Sequence, residues 1–312
     1  MLYCPNMRRS TKKRVSSSRQ QFVHPIVIAT FHSLQNKLSS VLETKYGITT
    51  KELSKNDDST EKNVYIANTD TEKYVIKTYS NIEKAKAISS ISKLLSDQSQ
   101  KVPKVLPTKN HFNHANINPN EYIVVYSFMD GVPIGWGNQT KKLSPEITTP
   151  LARMLASIHS STQGENEYHL PIVPIKYAEE LTRKSALHYD LTRSNVFLDA
   201  RRRNLVGIID FDDAKYGSSI WDVAIAIGNL FISKTFGIDY VGIANFLGQY
   251  YANTANVAII ERPMIYHCIE LWINAILSET EIDIPHKASF IARKKLILTN
   301  SEKLRSAITT YL

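Results

Sequence analysis

Residues 188–195 read HYDLTRSN, and residues 208–211 read IIDF. The first stretch places Asp190 five residues before the amide of Asn195, and the second places Asp210 after an apolar run. Phosphoryl transfer needs a carboxylate beside the attacking hydroxyl, and separately it needs oxygen ligands for the Mg²⁺ ion that bridges the nucleotide phosphates. Asp190 suits the first role, whereas Asn195 and Asp210 suit the second. The two stretches together therefore indicate phosphoryl-transfer chemistry.

The residues between these stretches predict how the three side chains meet. Residues 196–198 and 205–209 have the pattern of paired strands around a basic tip at 201–203. Such a hairpin folds Asn195 and Asp210 back toward one point. The alternative interpretation of the aspartates is that their carboxylates cap turns.

Toward the N-terminus the pattern is that of a small sheet. Residues 63–68 and 73–79 predict two strands joined by a polar four-residue turn, and the second strand carries Lys77. A helix is predicted over 82–95, with Ser80 or Asn81 as its N-cap. Residues 121–128, EYIVVYSF, predict another strand, because β-branched and aromatic residues dominate it.

Outside the strands, apolar residues recur at helical spacing. Helices are predicted within 22–42, 149–160, 220–230 and 265–277. The expected fold class is therefore α+β, with a strand-rich lobe at 22–128 and a mainly helical lobe at 129–312.

The ordered set of motifs resembles a known family. HxDxxxxN at 188–195, IDF at 209–211 and WDxA at 221–224 are similar to the catalytic core of the aminoglycoside phosphotransferase and choline kinase-like small-molecule kinases. With the strand lysine and the strand that precedes the second lobe, the resemblance extends over roughly residues 48–230. It implies a two-lobed protein-kinase-like fold with ATP and Mg²⁺ as cofactors.

The resemblance also implies residue roles. Asp190 is the catalytic base, Asn195 and Asp210 are the metal ligands, and Lys77 binds the nucleotide phosphates with Glu83 as its ion-pair partner. For Glu83, a position favoured by the helix dipole is the alternative. The adenine is expected against main-chain groups of the hinge, which comprises Val125, Tyr126, Ser127 and Phe128.

Several positions depart from the family pattern. The phosphate-covering loop expected at 54–62, SKNDDSTEK, contains no glycine, so a glycine-rich turn is not available there. Tyr189 stands where the family has a small residue, and Arg193 with Ser194 replaces a His-Pro-Gly-like stretch. Asp222 resembles the aspartate of the family's WD motif, but Ser219-x-x-Asp222 also fits a capping box, which we favour.

Charge is concentrated at one end of the chain. Of the net +9, residues 1–42 carry seven basic residues and no acid, which leaves +2 for the remainder. Residues 1–21 are expected to be a disordered basic arm, with a transit peptide as the alternative. Binding of nucleic acid is not expected. No apolar run approaches the length of a membrane span, and only two cysteines occur, so a cytoplasmic protein is expected.

The acceptor is predicted from charge. Residues 216–312, where the family builds its acceptor pocket, contain eight acids and eight bases. A pocket for several ammonium groups should show an acidic surplus, so a small amino alcohol such as homoserine, or a sugar, is expected. Short stretches at 229–231 and 269–277 also resemble the homoserine kinase branch. An aminoglycoside antibiotic is the alternative acceptor, and a catalytically silent kinase-like binding module is the alternative function.

Overall fold

The computed structural model describes residues 25–56, 64–98, 100–135, 141–174, 183–254, 258–279 and 284–310. The predicted basic arm at 1–21 and residues 57–62 of the predicted phosphate-covering loop lie outside these ranges.

A six-stranded antiparallel sheet forms the first part of the fold. Its strands are β1 Glu52–Lys55, β2 Val64–Asn68, β3 Lys73–Tyr79, β4 Val105–Leu106, β5 Ala115–Asn118 and β6 Glu121–Ser127. They run in the order β1-β2-β3-β6-β4, with β5 also paired to β6. The hydroxyl of Thr69 closes the β2–β3 turn by accepting hydrogen bonds from the N–H groups of Thr71 and Glu72 at 3.3 and 3.0 Å. The hairpin predicted from the sequence is therefore present.

Each face of the sheet is covered by a helix. Helix α1 (Pro25–Val41) and the π-helical turn that follows it (Leu42–Tyr46) pack Leu38 and Leu42 against one face. Helix α2 (Ile82–Asp97) packs Ala85 against the other face. Because side chains alternate along β3, Lys77 shares the α2-facing side of the sheet with its neighbours two residues away.

The second part of the fold is mainly helical. Its helices are α3 Pro145–Ser161, α4 Ile220–Ala226, α5 Tyr240–Ala252, α6 Ala258–Ser278, α7 Ile284–Thr299 and α8 Ser301–Thr309. Every residue of α4 is buried, as expected for a helix that is surrounded by others on all sides. Within the described ranges, no helix combines the length and apolar character that crossing a bilayer requires.

Short strand pairs accompany these helices. They are β7 Val132–Pro133, β8 Lys184–Leu187, β9 Val196–Leu198, β10 Leu205–Ile208, β11 Lys215–Ser218, β12 Ile232–Ser233 and β13 Gly237–Ile238. Strands β9 and β10 form the predicted hairpin, with Val196 opposite Ile208. The N–H of Ile209 then donates to the carbonyl of Asn195 at 2.9 Å, which brings the two motifs side by side. The α+β class predicted from the sequence is confirmed.

Candidate active site

A buried histidine fixes the predicted catalytic loop, residues 188–195, to the end of the β9–β10 hairpin. Nε2 of His188 donates to the carbonyl of Ile209 at 2.8 Å, and Nδ1 accepts the N–H of Asp190 at 3.3 Å. The ring also packs against Phe211, with centroids 4.7 Å apart. His188 therefore braces the loop.

Asp222 holds the same loop through hydrogen bonds from its main chain. Its fully buried carboxylate accepts the N–H groups of His188 and Tyr189, each at 2.7 Å, and faces Nε2 of His159 at 3.0 Å. The capping box favoured from the sequence is wrong, because Ser219 lies in the helical region and makes no side-chain cap. The aspartate instead satisfies main-chain donors of a different segment, 33 and 34 residues earlier in the chain.

Two residues of the site have left-handed backbone conformations. Tyr189 has φ of +63° and Asp210 has φ of +69°. Residues with a Cβ disfavour this region, at a cost of order 1–3 kcal/mol. The family's small residue at the position of Tyr189 is explained by this requirement, since glycine adopts it freely.

Asp190 and Asn195 contact each other directly. Nδ2 of Asn195 donates to both the carbonyl oxygen and Oδ2 of Asp190, at 2.9 Å in each case. Burial, with the nearby charges of Asp213 and Asp210, raises the pKa of the Asp190 carboxyl to about 6, although His188 and Asn195 act against this shift. A carboxyl with that pKa is suited to accept a proton near neutral pH.

Lys77 reaches across from the sheet to Asp210, the predicted metal ligand. Its Nζ lies 2.6 Å from Oδ1 of Asp210 and 3.0 Å from Oδ1 of Asp212. Burial would raise the pKa of Asp210, but the Lys77 ammonium outweighs it and the pKa is lowered. The structure thus brings Lys77, Asp190, Asn195 and Asp210 into one site from three separate segments.

Asp212 and Tyr79 are functional candidates that sequence reasoning missed. Asp212 is buried and paired with Lys77. The hydroxyl of Tyr79 donates to Asp212 Oδ1 at 2.9 Å. The alternation of β3 offered one clue, since Tyr79 lies two residues after Lys77 and so shares its face.

Glu83 does not join the site. Its side chain is 71% exposed, and it pairs with Lys86 on the same helix at 3.1 Å. The N-cap explains this, because Asn81 accepts the N–H of Glu83 at 2.8 Å and fixes Glu83 in the first, outward-facing turn of α2. The predicted pairing with Lys77 is therefore wrong, and Asp210 and Asp212 are the partners of that lysine.

Two main-chain N–H groups of the predicted adenine-binding hinge are already hydrogen-bonded within the protein. Val125 and Tyr126 are buried within the sheet, between β3 and β4. The N–H of Ser127 donates to the carbonyl of Lys104 at 2.8 Å, and that of Phe128 donates to the carbonyl of Lys73 at 3.2 Å. An adenine ring would have to use other main-chain groups of the hinge.

The donor set fits Mg²⁺. Because Asn195 uses its Nδ2 on Asp190, its Oδ1 is left to act as a ligand. Asp210 has its pKa lowered and supplies a charged carboxylate, and such hard oxygen ligands are those that Mg²⁺ takes, with phosphate oxygens completing the shell. Among the described residues no group of three His, Cys, Asp or Glu side chains could hold a metal alone. The Oδ1 of Asn195 and the carboxylate of Asp210 are the groups that would hold Mg²⁺.

Comparisons with known proteins bear on this geometry. Residues 169–255, which contain the catalytic loop, the IDF motif and Asp222, match the family model described as "APH: Phosphotransferase enzyme family". No curated protein sequence matches the chain significantly.

Solved structures give the fold. An amicoumacin kinase, solved in complex with AMP-PNP, Ca²⁺ and Ami, superposes with a TM-score of 0.61 at 13% identity, covering 92% of this chain and 96% of that one. A microcompartment-associated aminopropanol kinase gives 0.57 at 14% identity over 90% and 98%. A choline kinase from Streptococcus pneumoniae gives 0.51 at 16% identity over 88% and 99%.

Residues 169–255 thus match a phosphotransferase family, and the chain shares its kinase-like fold with these solved structures. The matched segment also confirms the predicted resemblance to the aminoglycoside phosphotransferase and choline kinase-like family.

Proposed function

We propose that this protein transfers the γ-phosphoryl group of ATP to a hydroxyl of a small molecule, with Mg²⁺ as the metal. The observation that carries the proposal is the meeting of two hydrogen-bonded pairs, Asn195 with Asp190 and Lys77 with Asp210, at the end of the β9–β10 hairpin. The fold alone does not require residues from β3, the catalytic loop and the end of β10 to bring an ammonium, two carboxyl groups and an amide together. Phosphoryl transfer uses each of them.

Asp190 orients the acceptor hydroxyl and takes its proton. The hydroxyl oxygen attacks the γ-phosphorus, the bond from that phosphorus to the β,γ-bridging oxygen breaks, and ADP leaves with the bonding electrons. The raised pKa of Asp190 makes its carboxylate a stronger base than an ordinary aspartate.

Lys77 and the metal ligands hold the nucleotide. The Lys77 ammonium, positioned by Asp210 and Asp212, is placed to neutralise phosphate charge. Asn195 and Asp210 would hold Mg²⁺, which neutralises charge that develops on the phosphate oxygens. Catalysis then depends mainly on positioning and electrostatics.

The acceptor that fits best is a small amino alcohol such as homoserine, or a sugar, and not a polycationic aminoglycoside. The buried acids of the helical part are engaged inside the protein: Asp222 with the catalytic loop, and Glu261 with Arg183 at 3.2 Å. Glu270 accepts a hydrogen bond from the hydroxyl of Tyr266 at 3.1 Å. Among the described residues, these contacts leave no acidic surplus for several ammonium groups.

The test is ADP release with Mg·ATP over a panel of homoserine, choline, ethanolamine, a hexosamine and kanamycin, using the full chain. Asp190→Asn should bind nucleotide normally and lose acceptor-dependent turnover by several orders of magnitude. Near-normal turnover of that variant would remove Asp190 from its role. A kcat/KM for kanamycin well above the others would refute the small-acceptor assignment. Nucleotide binding without turnover of any acceptor would indicate the silent binding module.

A further inference from the structure

A buried arginine lies within the catalytic loop itself. Arg193 is 4% exposed, and its Nη1 and Nη2 donate to the carbonyls of Lys141 and Leu230 at 2.9 and 2.7 Å. Its guanidinium also stacks over the ring of Phe236, 5.3 Å from the centroid. Nε has no hydrogen-bond partner. The side chain is thus held firmly by neutral groups while its charge is not matched by a carboxylate.

A second buried arginine lies beside it. Arg293, on α7, is 5% exposed and donates from Nη1 to Oδ1 of Asn229 at 2.9 Å. Because Asn229 and Leu230 are consecutive residues of one π-helical turn, Arg193 and Arg293 bind neighbouring points of the same turn. Burial, and then the charge of Arg193, lower the pKa of Arg293 to about 10, in keeping with this proximity.

The surrounding charge is positive. Within the described ranges, neither guanidinium forms an ion pair, and Nε of Arg293 is also without a hydrogen-bond partner. The carboxylate that acts on Arg193 is that of Asp239, which accepts the N–H of Gly242 at 3.2 Å and lies 3.5 Å from Nζ of Lys142. This one carboxylate is therefore shared between Lys142 and Arg193.

Two buried cations that no carboxylate contacts directly are costly, because each loses its hydration and repels the other. Such an arrangement is stabilised by an anion that reaches both guanidinium groups, and planar guanidinium groups match a carboxylate well. The location is informative as well. Arg193 follows Asp190 by three residues, so their Cα atoms are at most about 11 Å apart.

We propose that the acceptor carries a carboxylate, which binds Arg193 and Arg293 while its hydroxyl meets Asp190. The inference rests on the proposed function and specifies the substrate class of the same site: a small hydroxy acid or hydroxy amino acid. Cationic amino alcohols without a carboxylate would leave both guanidinium groups unmatched.

The test compares acceptors that differ by the carboxylate alone. The pairs are L-homoserine with 3-aminopropan-1-ol, L-serine with ethanolamine, 4-hydroxybutyrate with propan-1-ol, and glycerate with ethylene glycol. For the best pair, the kcat/KM ratio of the wild-type protein should favour the carboxylate by about 30-fold or more, the scale expected for a buried charge left without its partner. A ratio near or below one would overturn the proposal.

Arg293→Met should collapse that ratio toward one, and Arg293→Lys should restore part of it because the charge is kept. Arg305→Met is the matched control, since this arginine is 56% exposed and its guanidinium stacks on Tyr266 at 3.8 Å. A purely structural role of Arg293 would lower both acceptors of a pair equally and leave the ratio unchanged, and this outcome also contradicts the proposal.

Binding separates this inference from the proposed function. If no acceptor is phosphorylated, the proposed function fails, and calorimetry with L-homoserine and 4-hydroxybutyrate in the presence of AMP-PNP decides the inference alone. Saturable binding that Arg293→Met weakens about 30-fold or more would support the carboxylate site. Failure of the wild-type protein to bind either probe would exclude it.

Discussion

The buried carboxyl of Asp190 should destabilise the metal-free protein at neutral pH. Its pKa of about 6 in the folded state exceeds the ordinary value of 3.8, so the folded state holds this proton more tightly than the unfolded state does. The contribution of Asp190 to the free energy of unfolding is therefore greatest below pH 4 and is lost as the pH rises through 6. The shift corresponds to at most roughly 3 kcal/mol, which the partial exposure of the side chain reduces.

Asp190→Asn removes this ionisation, and its Oδ1 can still accept the hydrogen bond from Asn195. We expect the variant to melt about 2–5 °C above the parent at pH 8 in EDTA, because a chain of this length shifts by only about 1.5 °C per kcal/mol, with the gain shrinking toward zero at pH 4.5. Thermal unfolding followed by circular dichroism at both pH values measures it. A gain that is absent at pH 8, or equal at both pH values, would refute the reasoning.

Asp199 provides a control, because its pKa is shifted in the opposite direction to that of Asp190. This carboxylate accepts the N–H of Arg203 at 2.8 Å and Nδ2 of Asn204 at 2.7 Å, and these hydrogen bonds lower its pKa. Stability from Asp199 is present above the unfolded pKa and is lost as the pH falls. Asp199→Asn should therefore lower the melting temperature at pH 8, in the same assay.

Three further variants test the site. Asp210→Ala should weaken Mg²⁺-dependent nucleotide binding by calorimetry, because a direct metal ligand is lost, and an Mg²⁺ titration that matches the parent would contradict the assignment. Asp222→Asn should reduce stability by about 2–4 kcal/mol and lower kcat, since an amide cannot accept all three hydrogen bonds, whereas unchanged denaturant midpoints would exclude this role. Glu83→Gln should leave KM for ATP unchanged while Lys77→Met raises it, and equal effects would restore the Lys77–Glu83 pairing.

The sequence was sufficient where structure is local. The β2–β3 turn, the cap at Asn81 and the β9–β10 hairpin each depend on residues within a few positions of one another, and all three form as predicted. The approach of Asn195 to Asp210 followed from the hairpin alone, because an antiparallel pair brings its two ends together. Motif order supplied the fold class.

The missed features depend on contacts between distant segments. Tyr79 and Asp212 are 133 residues apart, and no periodicity links them. Arg193 could be recognised from the sequence as a departure from the family pattern, but not as a buried group beside Arg293. Glu83 shows the converse, because a motif-based pairing failed once the N-cap fixed the direction of the first helical turn.

The site combines several unfavourable features, and rigid elements around it keep them in place. Tyr189 and Asp210 have left-handed backbones, and Asp190 is ionised against a raised pKa. Without such support, the two left-handed backbones would return to ordinary conformations and Asp190 would move into solvent. The carboxylate of Asp222 prevents this by accepting two consecutive N–H groups of the loop, and α4, which carries it, is buried on every side. A loop held in this way keeps Asp190 in its buried position before substrate arrives, so its basicity results from the fold and need not be induced by the acceptor.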